Sequence, residues 1–237
     1  MGVEPGTQFQ YSGGGYLLLE LLVEELSGEP FERFVTRELL QPLGMVRSGY
    51  TDLAATTNSA KSYDADGRPA PLYRYASKAA TGFNTSASDM VRLVLAHLRA
   101  VEGGPLARKT LESMRTAEAA SMGADIWGLG TILYAPTKAG GVVFGHDGAN
   151  EPAMNTTVRI NPDTEDAIIV LATGNRTLAS QLGAEWVLWQ TGLPDVLTIP
   201  SEVRRVMPLL GGGACGIVLL AFVPVWRARR RQTREAA

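Results

Sequence analysis

The sequence predicts an α+β fold, one antiparallel sheet with packed helices, extended near the C-terminus by a single transmembrane helix. Three observations carry this. Helix-type signals dominate the chain as far as Thr116, apart from a loop region at 50–80. Four strand-type runs follow Asp125, separated by Gly, Pro and Asp turns. An amphipathic segment then closes the body ahead of a long uncharged run. Helices first, then consecutive strands, then a helix is the order of helices packed on one antiparallel sheet.

The elements follow in order. Residues 15–26, ending YLLLELLVEEL, are apolar on most sides with Glu20, Glu24 and Glu25 along one edge, a helix expected to be mostly buried. Ser27-Gly28-Glu29-Pro30 breaks it, and Pro30 can open the next helix, Phe31–Leu40, which ends before Pro42-Leu43-Gly44-Met45. Residues 50–80 have no clear period and read as a long, ordered loop region. Ser86-Ala87-Ser88-Asp89 is a capping box leading into MVRLVLAHLRAV, and a short helix is expected over Arg108–Thr116. Strands are expected at WGLGTILY (127–134), GVVFG (141–145), AMNTTVRI (153–160) and DAIIVLAT (166–173), the last two joined by a hairpin at Asn161-Pro162-Asp163. The helix Leu178–Trp189 completes the body.

With 237 residues, 45% of them hydrophobic and 19% charged, the chain has the composition of a globular domain plus an appendage. Its formal charge of −2 hides an asymmetry: residues 1–203 carry 15 Lys+Arg against 23 Asp+Glu, residues 204–237 carry 7 Arg against one Glu. An acidic body argues against nucleic acid as the main partner, because phosphate binding needs a basic face. Cys215 is the sole cysteine and His97 and His146 the only histidines, so no internal disulfide and no Cys-based or multi-histidine metal site is implied, and no cofactor either.

From Val206 to Trp226 the sequence VMPLLGGGACGIVLLAFVPVW runs 21 residues without a charge. As a helix it covers roughly 30 Å, the hydrocarbon thickness of a lipid bilayer. Trp226 and the arginines at 227, 229, 230, 231 and 234 supply an interfacial aromatic and a positive flank, which puts the tail in the cytoplasm and the body outside. The expected boundaries are a body at 1–195, a linker at 196–205, a membrane helix at 206–226 and a basic tail at 227–237. MGVEPGTQF does not read as a signal peptide, so a body outside the membrane calls for an export signal upstream.

Three stretches point to chemistry: PGTQFQYSGGGYLLLELLVEELSGEPFERFVTRELLQPLGM (5–45), ATGFNTSASDMVRL (80–93) and FGHDGANEPAMNTTVRINPDTEDAIIVLATGN (144–175). In this order and at these spacings they resemble the class C β-lactamase-like serine hydrolases, a family that includes penicillin-binding-protein relatives and esterases. The resemblance covers residues 4 to about 190. It implies a β-lactamase/transpeptidase-like fold and acyl transfer on a small-molecule acyl substrate, an ester, peptide or lactam. In that chemistry the serine of Ser-x-x-Lys attacks a carbonyl, a Tyr-x-Asn motif supplies a base, and a Lys-Thr-Gly or His-x-Gly strand lines the site.

Carried onto this chain, the resemblance implies Tyr11 as base and His146-Asp147-Gly148 as the strand motif, with His146 catalytic, Gly13 and Gly148 at the substrate, and the Ala149 N–H as one oxyanion donor. A tyrosine, with a free pKa of about 10, serves as base near neutral pH only where cations stabilise its phenolate. In the family that cation is chiefly the lysine of Ser-x-x-Lys. Outside this context, a tyrosine before a Gly-rich turn is a packing residue and a lone histidine a surface or core one. Ser12 has no Gly-x-Ser-x-Gly elbow around it, and Ser86 and Asp89 are assigned to capping.

The pattern also departs from the family. No serine in the chain is followed by a lysine three positions on, and Met1 lies only ten residues before Tyr11. The nucleophile segment, the first strands and the export signal are therefore expected to lie together outside this chain, as one N-terminal truncation would leave them. Such a chain is expected neither to hydrolyse esters nor to fold well by itself, with apolar surface bared on the helix at 15–26 and on the sheet. Gly13 stands where the family usually has an amide-bearing Asn. His146 replaces a permanently charged lysine with a side-chain type mostly neutral at pH 7. Both changes lean towards esterase or peptidase-like chemistry and away from efficient β-lactam hydrolysis. The expectations are therefore a membrane-anchored serine hydrolase whose nucleophile lies outside this chain, or a non-catalytic, membrane-tethered binding or regulatory protein that keeps the pocket.

Overall fold

Six strands pair antiparallel in sequence order in the computed structural model of the protein. It describes Glu4 and residues 6–50, 58–72, 77–99, 104–121, 124–199 and 207. The chain falls into two units, Met1–Asp195 and Val196–Ala237. The uncharged run at 206–226 lies, except for Met207, outside the described residues, as do the basic tail and most of the linker. Among the described residues no helix is long and apolar enough to cross a membrane.

Helix α1, Gly13–Ser27, starts at Ser12, whose Oγ accepts from the Gly15 N–H at 3.3 Å, and ends at Gly28 in the left-handed region with φ 71°. Its edge glutamates hold loops. The Glu20 carboxylate accepts from Ser77 Oγ and from the N–H groups of Lys78 and Ala79, and Glu24 accepts from the Phe31 N–H at 2.9 Å. The expected burial of this helix does not hold, since none of its residues is buried. Leu18, Leu22 and Leu26, at four-residue spacing, are 69%, 51% and 80% exposed. An apolar helix is buried only if something covers each face, and among the described residues nothing covers this one.

The helix expected over 31–40 forms as α2, Phe31–Val35, continued by a π-helical turn, Thr36–Leu40. In the loop region, Tyr63 bridges Pro69 across a turn whose N–H groups Asp64 caps. Helix α3, Ala87–Leu98, begins at Ser86, which accepts from the Asp89 N–H at 3.3 Å. Asp89 closes no reciprocal box. Its buried carboxylate instead accepts from the Arg47 N–H at 2.7 Å and Ser48 Oγ at 2.8 Å. Helix α4 spans Arg108–Met114.

The strand expected at 127–134 is two strands. β1, Ala119–Ser121, and β2, Ala124–Trp127, precede a turn, and β3 resumes at Ile132–Pro136. The turn needs its glycines: Gly130 has φ 75°, and a side chain at Gly128 would collide with the Met114 carbonyl. β4, Val142–Asn150, outruns its predicted segment and carries His146 through Ala149. β5, Met154–Asn161, and β6, Asp166–Thr173, form the expected hairpin, with the Asp163 N–H donating to Asn161 Oδ1 at 3.1 Å.

Alternation along the strands separates two cores. On one face Val94 of α3 packs with Leu133, Phe144 and Ile160, joined by Val142 and Val158. On the other, α5, Leu178–Thr191, lays Ala179, Gly183, Val187 and Thr191 against the sheet.

Candidate active site

Tyr11 immediately precedes the cap of α1, so its placement follows from where that helix starts. His146 lies on β4 two residues beyond Phe144 and shares its face, away from α5. The fold brings the two rings to 6.5 Å between centroids. Trp127, at the end of β2, sits beside both, 5.6 Å from Tyr11 and 6.3 Å from His146, and stacks on Phe9 at 4.7 Å. Tyr11 is 65% exposed, so the cluster opens to solvent on its phenol side.

Tyr16, one turn into α1, is close behind. Its hydroxyl is 3.5 Å from where a Cβ on Gly130 would lie, and burial, helped by neighbouring Tyr11, raises its pKa above the ordinary tyrosine value. Phe9, Tyr16 and Trp127 escaped the sequence reading. Phe9 and Tyr16 flank the Tyr11 motif closely, but nothing in their spacing distinguishes a site wall from a packing residue.

The other expected residues are placed as follows. Gly13 is the first residue of α1; a Cβ there would approach only Ala80, at 4.0 Å, so its lack of a side chain leaves space beside Tyr11. Gly148 pairs with Thr156 of β5, and a Cβ there would lie 2.5 Å from Thr156 Oγ1, so a side chain would displace that hydroxyl. Its carbonyl accepts from Asn155 Nδ2 at 3.1 Å. Ala149 is exposed and pairs with Asn155. The β3–β4 ladder stops at Ile132–Gly145, so among the described residues His146 to Asn150 pair with β5 alone and their other edge is open. Ser12 is the α1 cap and does not stand in a nucleophile's setting.

Behind His146 the sheet's opposite face is polar and largely buried. His146 Nδ1 lies 2.6 Å from the Asp147 carbonyl. The Asp147 carboxylate accepts from Tyr134 Oη at 3.1 Å, Thr157 Oγ1 at 2.5 Å and Arg159 Nη2 at 2.9 Å. Burial, together with the Asp147 carboxylate, pushes the Tyr134 phenol far above the ordinary tyrosine range. Among the described residues no cluster of His, Cys, Asp and Glu could hold a metal ion.

The α+β domain thus brings a tyrosine at a helix start close to a histidine on an open-edged strand. Residues 2–193 match the family described as Beta-lactamase, and the chain belongs to that family. A human protein described as beta-lactamase-like 1 is 34% identical over 107 residues, 44% of this chain and 21% of that one. The octameric penicillin-binding protein homologue from Pyrococcus abyssi superposes with a TM-score of 0.67 at 25% identity, covering 80% of this chain and 44% of its own. A β-lactamase/D-alanine carboxypeptidase from Pseudomonas syringae shares the fold with a TM-score of 0.66 at 18% identity, covering 81% of this chain and 62% of its own. The chain thus spans 21% of the human relative and 44% and 62% of the two solved structures.

Proposed function

We propose that this chain supplies the tyrosine and histidine half of a serine hydrolase site, and that the nucleophile arrives on a Ser-x-x-Lys segment packing on α1. The approach of Tyr11 to His146 at 6.5 Å carries the reading. In it, Tyr11 takes the nucleophile's proton, His146 and Gly148 line the acyl group, and the Ala149 N–H meets the developing oxyanion. The bared leucines of α1 lie on the helix that begins two residues after Tyr11, where a nucleophile-bearing partner would have to dock. Gly13 and His146, in place of an amide and a lysine, favour esters or peptides over β-lactams. The same reading anchors the protein in a bilayer through 206–226, with the body outside and the tail in the cytoplasm.

The test is to express the longest in-frame product that contains this chain and measure hydrolysis of p-nitrophenyl esters and of a chromogenic β-lactam. Esters should turn over faster, and Tyr11→Phe should cost about 10²-fold or more in kcat. Faster lactam turnover would overturn the substrate lean. No hydrolysis of either would sink the enzymatic reading and favour a tethered binding protein, the alternative supported by the lack of any Ser-x-x-Lys in this sequence.

A further inference from the structure

We propose that Arg159 is a positioning residue for His146, acting through Asp147, and that Asp195 holds the guanidinium in place. The proposal rests on the reading of His146 as a site residue. Arg159 projects from β5 beneath α5 and is 1% exposed. Its Nη2 donates to Asp147 at 2.9 Å, its Nε to Thr157 Oγ1 at 3.1 Å, and its Nη1 to Asp195, which is fully buried. The guanidinium lies 3.9 Å over the Tyr134 ring. Helix α5 makes room for it: a Cβ on Gly183 would fall 2.5 Å from Arg159 Nε.

This arrangement fixes the Asp147 side chain from behind the sheet, and the Asp147 carbonyl in turn holds His146 Nδ1 at 2.6 Å. A carbonyl can only accept, so the imidazole hydrogen is on Nδ1, and Nε2 is left with the lone pair for the site. A buried guanidinium shared by two carboxylates carries a desolvation cost that apolar packing would avoid, so it is a poor device for stability alone. Bonded to Asp147, the residue after His146, it sets the tautomer. Because Asp195 is the last residue of its unit, the same guanidinium clamps the end of the domain to the site strand.

The test uses the full chain with ¹⁵N-labelled histidine at about pH 8. Only His97 and His146 contribute, and His146→Gln assigns them. The wild-type His146 nitrogens should show the widely split shifts of an Nδ1–H tautomer. In Arg159→Met they should move towards each other as the Nε2–H form grows, while His97 stays put; Arg159→Lys should recover part of the split. A wild-type Nε2–H tautomer, or unmoved His146 signals in a folded Arg159→Met, would overturn the proposal. Should Arg159→Met fail to fold, Asp195→Asn decides: a smaller shift in the same direction supports it, and unchanged signals overturn it. The readout needs no turnover, so its failure is distinct from failure of the hydrolase reading.

Discussion

His97 sits on α3 with its ring 5.7 Å from that of Phe144 and its Nδ1 buried without a partner among the described residues. Burial, and secondarily the charge of Arg115, lowers its pKa from 6.5 to about 4. The sign follows. Between those values the unfolded chain binds a proton that the folded chain refuses, so this contribution is complete above about pH 6.5 and is lost as pH falls towards 4. By pH 5 the loss should be about 2 kcal/mol relative to pH 7. His97→Leu should abolish that dependence, which denaturant melts at the two pH values would read. An equally steep loss in the variant would place the effect elsewhere. At this scale the sequence was partly readable. The motifs single out Tyr11 and His146, which the fold brings together, whereas nothing in the sequence singles out Arg159. On β5, Asn155, Thr157, Arg159 and Asn161 alternate with Met154, Thr156, Val158 and Ile160 much as a solvent face would, yet all four are buried. The alternation was real, but the small face of α5 makes that side an interior.

Helix α5 shows the same matching from its own side. Ala179, Gly183, Val187 and Thr191 recur every fourth residue and are all buried, and the smallest of them stands against the guanidinium. Gly→Ala in an exposed helix interior ordinarily stabilises by about 0.5–1 kcal/mol. Gly183→Ala should reverse that sign and destabilise by about 1–3 kcal/mol, because the added methyl displaces Arg159. A thermal melt of the variant against wild type checks this, and a raised Tm would mean the guanidinium has slack. Elements were legible where periodicity and punctuation agreed. β6 and the hairpin at Asn161-Pro162-Asp163 fall where they were expected, and α3 starts at its predicted cap. WGLGTILY misled because its apolar residues continue across a turn made by backbone approach to Met114, which only the tertiary structure reveals. β4 runs past the expected 141–145 because His146 through Asn150 continue pairing with β5.

For the domain as a whole, the expectation of poor folding bears most on α1. The sheet has helices on both faces, and Tyr134, Val143, Phe144 and Ile160 are fully or nearly buried, so its centre is packed as a native core is. The deficit lies in α1, apolar by sequence and uncovered in the structure. Two consequences belong together. Amides of α1 should exchange with solvent much faster than those of β4 and β5, because its hydrogen bonds have little packing above them. Replacing Leu18, Leu22 and Leu26 with Gln should leave stability within about 0.5 kcal/mol, since Gln is nearly as good a helix former and these side chains are exposed. The same triple variant should bind a hydrophobic dye such as ANS several-fold less. If a Ser-x-x-Lys segment docks on this face, the substitutions should also cut ester hydrolysis by the longer product while Tyr11 and His146 remain intact. Losing several kcal/mol from this chain alone would show instead that the leucines are covered in solution, by a second copy or by residues outside those described, and the site would then be closed where the proposed function needs it open.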